Sequence, residues 1–368
     1  MPNPFEAVDD RQATTRPSVR HTLYQPVDCS DDHTANGLLV QGNDGQIVLI
    51  HRVDPGPDGD HVGNGGYLVK RVWDPTTARW TERETIFDSG RYDDRNPNGG
   101  RTNDGRIVLF FRQLDADTGE SQGSYYMYSD DGGDKWSEPA TSAGLTGIAG
   151  TGKLFYNPTI DTYGIMHYGN APGTVSVLYS DDGRSWDRHE VVAENSQYEL
   201  AEPAGAWAGE DRVVALVRDD RREAGHPLVQ VVSEDNGNTW SPPTPTNIPP
   251  NQHWGCAPQL RYDESRDMLL ALNTDRYSRR DERNSLFIYT AQPDEIVADP
   301  NSWTLHDEIP RPLALANYIG ERPLNGPMYG YPTMAPIDDG EYMVIVTDRA
   351  MEDGTESADL YALRVSID

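Results

Sequence analysis

A carboxylate, a phenol and guanidinium groups stand at the edges of successive strand-like segments of this 368-residue chain. Glu202 opens one apolar run, Arg218 closes the next, and Tyr331 opens a later one in a Tyr-Gly-Tyr-Pro-Thr stretch. A guanidinium fork can bond both oxygens of a substrate carboxylate. A phenol that gives its proton to a carboxylate is a usable nucleophile, and an anionic sugar does not repel it as it would an attacking carboxylate. These residue types therefore indicate chemistry on an acidic sugar.

Histidines offer a second route. A Tyr/His pair, with arginines that neutralise a uronate carboxylate, is the equipment of a polysaccharide lyase, in which the base removes the proton α to the carboxylate. The candidates for that base are His51, His61, His167 and His253. No histidine pair has metal-site spacing, and the sequence contains no phosphate-binding loop, dinucleotide-binding glycine motif or nucleophile-elbow serine. We therefore expect neither a metal nor a cofactor.

Three short segments share one pattern that would position such residues: 129–136, 180–186 and 233–240, each running from Ser to Trp. Each follows a strand-like run and carries Asp and Gly where a hairpin needs them. Gly, Asp and Asn tolerate positive φ, and an Asp carboxylate can accept hydrogen bonds from the N–H groups of the turn. The Trp is expected to pack the turn onto its sheet. A repeat of about 50 residues predicts an array of small sheets, as in a propeller.

The same unit can be traced along the rest of the chain. A Trp closes each of the first five units: Trp80, Trp136, Trp186, Trp240 and Trp303. A sixth unit ends in the strand-like run 358–365 without a Trp, and helix signals are scarce. We predict an all-β protein in which residues 19–368 form a single six-bladed β-propeller. A strand near Val19–Tyr24 should complete the last blade, and segment 1–18 should be flexible.

The repeated segments follow the Asp-box, S-x-D-x-G-x-[TSK]-W, with 180–186 one residue shorter, and the chain resembles the sialidase (neuraminidase) superfamily. The resemblance implies a sialidase-like propeller with the Asp-boxes on outer turns, away from a central site. The order of the other residues is also similar to that of exo-sialidases. By this resemblance Tyr331 is the nucleophile and Glu202 its base. Arg218 and Arg283 belong to the clamp on the sugar carboxylate, with Arg280 as a further substrate ligand.

The chain departs from the family pattern at the first clamp arginine. Sialidases begin their first blade with Arg-Ile-Pro, whereas this chain has Thr34–Leu38, without an arginine, at that place. Arg95, in the Arg-Asn-Pro stretch that opens the second blade, is the candidate replacement. Because the triad is incomplete, the resemblance implies an acidic sugar without specifying which one.

Two carboxylates complete the site that the resemblance implies. The acid–base Asp of the family corresponds to Asp60, with Asp54 and Asp58 as alternatives, and Asp348 stands where a late Glu steadies an arginine. The leading expectation is a sialidase-like glycoside hydrolase that acts on a terminal acidic sugar of a glycan. A lyase or another glycosidase on uronate-containing glycans, and a non-catalytic glycan-binding or scaffold propeller, are the alternatives.

The net charge of the chain limits the classes of partner that it can bind. The formal net charge is −29, with 60 acidic and 31 basic residues, and the only lysines are Lys70, Lys135 and Lys153. A dense carboxylate shell keeps a protein soluble in high salt, where the Debye length falls to about 3 Å at 1 M. We therefore expect a halophilic source. Nucleic acid is excluded as a partner because the chain has no basic stripe.

Hydrophobic segments and cysteines indicate the compartment. No run of 18 apolar residues would span a membrane, and the first residues lack the basic and apolar regions of a signal peptide. Cys29 and Cys256 are too few for a disulfide framework and are predicted to be free thiols. The expectation is a cytoplasmic protein without membrane partners, and the sequence does not indicate its oligomeric state.

Overall fold

Short strands joined by tight turns make up nearly all the regular structure of the computed structural model. The structure describes residues 17–30, 32–56, 65–145, 152–169, 173–195, 197–221, 226–248, 257–274, 285–310, 328–352 and 355–368. The expected flexible segment 1–18 lies almost entirely outside these residues, and it stays a prediction.

The strands are, in chain order, β1 (Val19–His21), β2 (Gln25–Asp28), β3 (His33–Gln41), β4 (Ile47–Asp54), β5 (Tyr67–Asp74), β6 (Arg79–Trp80), β7 (Glu84–Phe87), β8 (Tyr92–Arg101), β9 (Ile107–Asp115), β10 (Ser121–Ser129), β11 (Phe155–Asn157), β12 (Thr162–Tyr168), β13 (Thr174–Ser180), β14 (Arg188–Glu194), β15 (Leu200–Trp207), β16 (Val213–Asp219), β17 (Val229–Ser233), β18 (Thr244–Pro245), β19 (Gln259–Asp263), β20 (Met268–Thr274), β21 (Ser285–Ala291), β22 (Thr304–Pro310), β23 (Met328–Asp338), β24 (Glu341–Glu352) and β25 (Thr355–Ile367). One short α-helix, α1 (Pro293–Ala298), precedes β22, and the sequence pattern did not predict it. A 3-10 turn, Asn43–Gly45, joins β3 to β4.

The strands form antiparallel sheets that follow the predicted units. Four-stranded sheets β11–β14, β15–β18 and β19–β22 coincide with three of them, and β8–β10 form a three-stranded sheet. A ten-stranded sheet joins β23–β25 to β3–β7 through a parallel bridge between Ala358 and His33. As predicted, the N-terminal strand β1 pairs with β25, with Val19 opposite Ile367. The protein is therefore all-β, and its small sheets are consistent with blades.

The Asp-box turns fold as their residue types dictate. Ser129 Oγ accepts a hydrogen bond from Gly133 N at 2.8 Å, and Asp131 Oδ1 accepts one from Lys135 N at 2.8 Å. The bond from Lys135 N contributes most to holding the pKa of Asp131 below its usual range. Trp136 donates from Nε1 to Gly133 O at 3.1 Å. The serine bond recurs in the other two turns, from Gly183 N to Ser180 Oγ at 2.8 Å and from Gly237 N to Ser233 Oγ at 2.7 Å.

Apolar layers pack the units against one another. In β4, Ile47 and Leu49 belong to one layer while Val48 and Ile50 belong to the next, because alternate residues of a strand face opposite sides. Trp186 is fully buried and meets Phe110 edge-on, with ring centroids 5.0 Å apart. Successive layers contain Leu39 with Ile345, Leu38 with Leu109, Val108 with Ile165, Val177 with Ala215, Val214 with Leu269, and Leu270 with Val344.

Two further expectations can be compared with the described residues. No helix among them has the length and hydrophobicity needed to span a bilayer. Cys29 is a free thiol, and burial raises its pKa to about 12, with Asp359 as the next contributor. Cys256 lies outside the described residues.

Candidate functional site

The first strands of three units carry the same irregularity. Strands β8, β15 and β23 each contain a β-bulge, at the register shifts between residues 95 and 98, 201 and 204, and 330 and 333. Each bulge holds one non-glycine residue at positive φ: Asn96 at 55°, Glu202 at 48° and Tyr331 at 49°. A proline follows each of them, although proline normally confines the preceding residue to extended backbone. Strain of this kind costs about 1–3 kcal/mol per residue and is concentrated at functional sites.

The bulges of β15 and β23 bring a phenol and a carboxylate together. Tyr331 donates a hydrogen bond from Oη to Oε1 of Glu202 at 3.2 Å, although the two residues are 129 positions apart. Glu202 is buried, with 5% of its surface exposed, and Tyr331 is half-buried. The pair lies where a phenol proton can pass to a carboxylate, as a tyrosine nucleophile requires.

Arg218 holds the other side of that carboxylate. Its Nη1 is paired with Oε2 of Glu202, and its Nε is paired with Asp220. Burial lowers the pKa of Arg218, but Glu202, Tyr331 and Asp220 offset this effect, so its pKa stands above the usual value. The guanidinium therefore stays charged beside the carboxylate of Glu202.

Arginines end the second strand of three units at equivalent positions. Arg52 lies opposite Ala35, Arg112 opposite Arg95, and Arg218 opposite Ala201, so each faces the residue that begins a bulge. Arg112 was missed by the sequence analysis. The available signal was the apolar run followed by Arg in Leu-Phe-Phe-Arg, which matches Ala-Leu-Val-Arg at Arg218.

Asn96 joins two of these guanidinium groups. Its Oδ1 accepts hydrogen bonds from Nε of Arg95 at 2.9 Å and from Nε of Arg112 at 3.0 Å. Arg95 is buried and Arg112 is half-buried. Burial lowers the pKa of Arg95, and the nearby charges of Arg112 and Arg52 lower it further. Two cations are thus held side by side through a neutral acceptor.

Arg52 neutralises part of this cluster. It donates from Nε to Asp93 Oδ1 at 2.6 Å, and its Nη2 lies 3.5 Å from Asp54 Oδ2. Asp93 also lies 3.5 Å from Nη1 of Arg95. Both carboxylates are fully buried, so Asp54, one alternative for the acid–base residue, serves as a structural partner of Arg52.

Tyr168, at the end of β12, lies among the same groups. Burial raises its pKa, Glu202 and Tyr331 raise it further, and Arg112 and Arg218 act in the opposite direction. One phenol is therefore within electrostatic reach of both arginines and of the phenol–carboxylate pair. The charges contributed by β9, β15, β16 and β23 form one neighbourhood.

The other predicted site residues have different positions. Asp60, its alternative Asp58, Arg280 and Arg283 lie outside the described residues, and their roles stay predictions. Asp348 is buried in β24, directly opposite Asp359 in β25. Burial and the charge of Asp348 raise the pKa of Asp359 to about 6.

Two of the candidate histidines, His51 and His167, are buried. His51 is 3.2 Å from Asp28 through Nε2, and among the described residues neither ring nitrogen of His167 has a hydrogen-bond partner. Burial lowers the pKa of His167 to about 3, with a small contribution from His189. His61 and His253 lie outside the described residues. In the ranges that the structure covers, no group of three or more His, Cys, Asp or Glu side chains is arranged to hold a metal.

Solved structures resemble this fold at low sequence identity. A protein of unknown function from Dyadobacter fermentans aligns over 96% of this chain and 100% of its own, with 17% identity and a TM-score of 0.74. The NanB sialidase from Streptococcus pneumoniae aligns over 94% of this chain and 71% of its own, with 10% identity and a TM-score of 0.64. The intramolecular trans-sialidase from Ruminococcus gnavus aligns over 91% and 94%, with 11% identity and a TM-score of 0.64. At these identities the similarity concerns the fold alone.

A family model identifies the chain more directly. No curated protein matches the sequence. Residues 67–344, three quarters of the chain, match the BNR repeat-like domain. The Asp-box turns fall within that range. The chain therefore belongs to the BNR repeat-like domain family, and its fold is similar to that of sialidases.

Proposed function

We propose that this protein is a sialidase-like glycoside hydrolase that cleaves a terminal acidic sugar from a glycan. The observation that carries the proposal is the hydrogen bond of 3.2 Å from Tyr331 Oη to Glu202 Oε1, with Arg218 on the second carboxylate oxygen. A buried carboxylate with one oxygen on a cation and the other on a phenol is arranged to accept the phenol proton. The sialidase and the trans-sialidase among the fold neighbours agree with this chemistry.

The reaction follows from these contacts. Tyr331 Oη forms a bond to the anomeric carbon as its proton passes to Glu202, and the glycosidic bond breaks. The leaving oxygen takes a proton from an acid, the role proposed for Asp60. Water then attacks the glycosyl–tyrosine intermediate, with the same residue acting as base, and Tyr331 recovers its proton from Glu202. Arg218 holds Oε2 of Glu202, which leaves Oε1 to Tyr331.

The same proposal includes a six-bladed propeller formed by residues 19–368. The apolar layers support it, because they link the units in cyclic order. Leu38 and Leu39, adjacent in β3, belong to the layers toward the second and the sixth unit respectively. The bulged first strands would then converge on one end of a common axis, which is where propeller sites lie.

The lyase alternative has less support. It needs a histidine that substrate can reach, whereas the described candidates His51 and His167 are buried at 0% and 1% exposure. A histidine-based lyase mechanism also gives no role to the contact between Tyr331 and Glu202.

Turnover of the Tyr331→Phe variant tests the hydrolase. The substrates are aryl glycosides of N-acetylneuraminic acid, glucuronic acid and galactose in molar KCl, with ultraviolet absorbance of uronate polymers as the lyase assay. We expect kcat on the acidic aryl glycoside to fall about 10²-fold or more while the melting temperature barely changes. Tyr156→Phe is the matched control, because it also deletes a hydroxyl bonded to a carboxylate, that of Asp161 at 2.7 Å, on a distant turn. Wild-type kcat in Tyr331→Phe would refute the tyrosine mechanism.

A further inference from the structure

Arg112 differs from the other arginines of the site in what its guanidinium contacts. Its Nε donates to Asn96, but it forms no ion pair with a carboxylate in the described ranges, and its two terminal nitrogens have no recorded partner there. Arg218, at the equivalent position of another unit, is occupied by Glu202 and Asp220. In a protein with twice as many acidic as basic residues, an unpaired and half-buried guanidinium beside other cations is costly.

Asn96 orients two arginines without neutralising them. Both bonded nitrogens are Nε–H donors, so the amide must present its oxygen to them, and one neutral acceptor orients two cations without cancelling their charge. An Asp at this place would form the same two bonds and neutralise the pair. The strained backbone of Asn96, at φ 55°, aims the amide at the ends of Arg95 and Arg112.

The pair lies within electrostatic reach of the phenol–carboxylate centre. Arg95 is influenced electrostatically by both Arg112 and Tyr331, and Tyr168 by Arg112, Glu202 and Tyr331. A ligand anion held by Arg112 would therefore lie within reach of the same centre. The terminal fork of Arg112 can bond both oxygens of a carboxylate.

We propose that Arg112, oriented by Asn96 and backed by Arg95, is the residue that binds the carboxylate of the acidic sugar. Arg218 serves the base instead. The assignment rests on the proposed function for the identity of the sugar, but it concerns binding and can be tested without turnover. Selection of an acidic over a neutral sugar then depends on the second unit of the chain. The first unit lacks the arginine that the family pattern places there.

Equilibrium binding to the full-length chain tests the assignment. Calorimetry in molar KCl measures the affinity for N-acetylneuraminic acid, its 2,3-didehydro derivative and glucuronic acid, and for the neutral methyl ester of each. We expect Arg112→Gln to weaken carboxylate binding about 10- to 100-fold and to leave ester binding unchanged. Arg112→Lys keeps the charge without the fork, so its affinity for carboxylates should lie between those of the wild type and Arg112→Gln. Asn96→Asp, which keeps every arginine, should weaken carboxylate binding as well.

Controls separate this result from misfolding and from the catalytic proposal. Arg261→Gln removes an exposed arginine elsewhere, which packs on the ring of Tyr342, and should bind like the wild type. Tyr331→Phe should retain carboxylate binding, so loss of turnover and loss of binding are measured in different variants. Unchanged binding in a folded Arg112→Gln variant, esters that bind as tightly as acids, or a wild type that binds none of the three acids would each overturn the assignment. Full turnover in Tyr331→Phe with lost binding in Arg112→Gln would refute the tyrosine mechanism and leave this assignment standing.

Discussion

Glu202→Gln removes one charge from the centre of the site and keeps the size of the side chain. Glu202 and Arg218 are 5% and 7% exposed, so solvent screens their interaction little. The amide cannot take the phenol proton from Tyr331, which now reaches Oε1 at 3.2 Å. Loss of a general base lowers rate by about 10²- to 10⁴-fold. At about 1.36 kcal/mol per decade, the transition state should lose about 2.7–5.4 kcal/mol of stabilisation.

The same substitution should have a smaller effect on folding. Removal of one partner from a buried ion pair costs about 3–5 kcal/mol when the remaining charge has no other partner. Arg218 keeps Asp220 on Nε, and the carbonyl oxygen of the new amide can still accept from Nη1. We therefore expect the free energy of unfolding to fall by about 1–3 kcal/mol, the cost of a weakened hydrogen bond to a charged group.

Steady-state kinetics and denaturant unfolding of the same preparation separate these effects. Glu210→Gln is the matched control, because Glu210 is exposed and lies 3.5 Å from Arg212 in a surface ion pair worth about 0–1 kcal/mol. The double variant with Tyr331→Phe should be no slower than Tyr331→Phe alone, since the two groups act as a unit. A Glu202→Gln variant that loses stability but keeps wild-type kcat would show that the contact is structural only.

The remaining predictions concern stability. The melting temperature should rise as KCl increases from about 0.1 to about 3 M, since salt screens the repulsion of a −29 charge; a flat curve would remove the halophile argument. Trp186→Ala should lower the free energy of unfolding by about 3–5 kcal/mol and leave kcat of the folded fraction unchanged. Trp136→Ala should lower it less, because Trp136 is half-buried. Denaturant unfolding measures both, and a larger loss for Trp136→Ala than for Trp186→Ala would contradict the packing. The pKa of Asp359, raised to about 6 from the usual 3.8, means that the folded state binds the proton more tightly, so stability falls as pH rises from about 4 to about 6. Asp359→Asn should flatten melting curves over that window and stabilise the protein above it; a variant that matches the wild type at pH 7 would refute the raised pKa.

The features that the sequence predicted well are those that local residue types determine. Ser129 and Asp131 form their turn with groups no more than four residues away, so the Asp-box motif contains nearly the whole structure. The pairing of β1 with β25 followed from a sixth unit that lacked an outer strand. Burial of the box tryptophans could not be predicted in the same way, because Trp186 is covered by Phe110 of a neighbouring sheet.

The candidate site was less accessible to sequence reasoning because its contacts are long-range and its backbone breaks local rules. Proline favours an extended residue before it, so the sequence suggests regular strands at Asn96, Glu202 and Tyr331 rather than bulges at positive φ. The sequence does not separate Arg112 from the other arginines of an acidic chain, which commonly form surface ion pairs. Only the structure distinguishes Arg112, which forms no such pair with the described residues, from Arg218, which forms two.

Under the proposed function, that difference between equivalent arginines would let one repeated unit support two kinds of chemistry. The residue at the bulge decides the role of the arginine opposite it. Where the bulge presents a carboxylate, as at Glu202, the arginine is consumed in fixing a base; where it presents a neutral amide, as at Asn96, the arginine is oriented and its charge stays available. Exchange of the two bulge residues should therefore exchange the roles. Asn96→Glu would pair with Arg112 and abolish carboxylate binding, which calorimetry measures. Glu202→Asn would release Arg218 and remove the base, which steady-state kinetics measure.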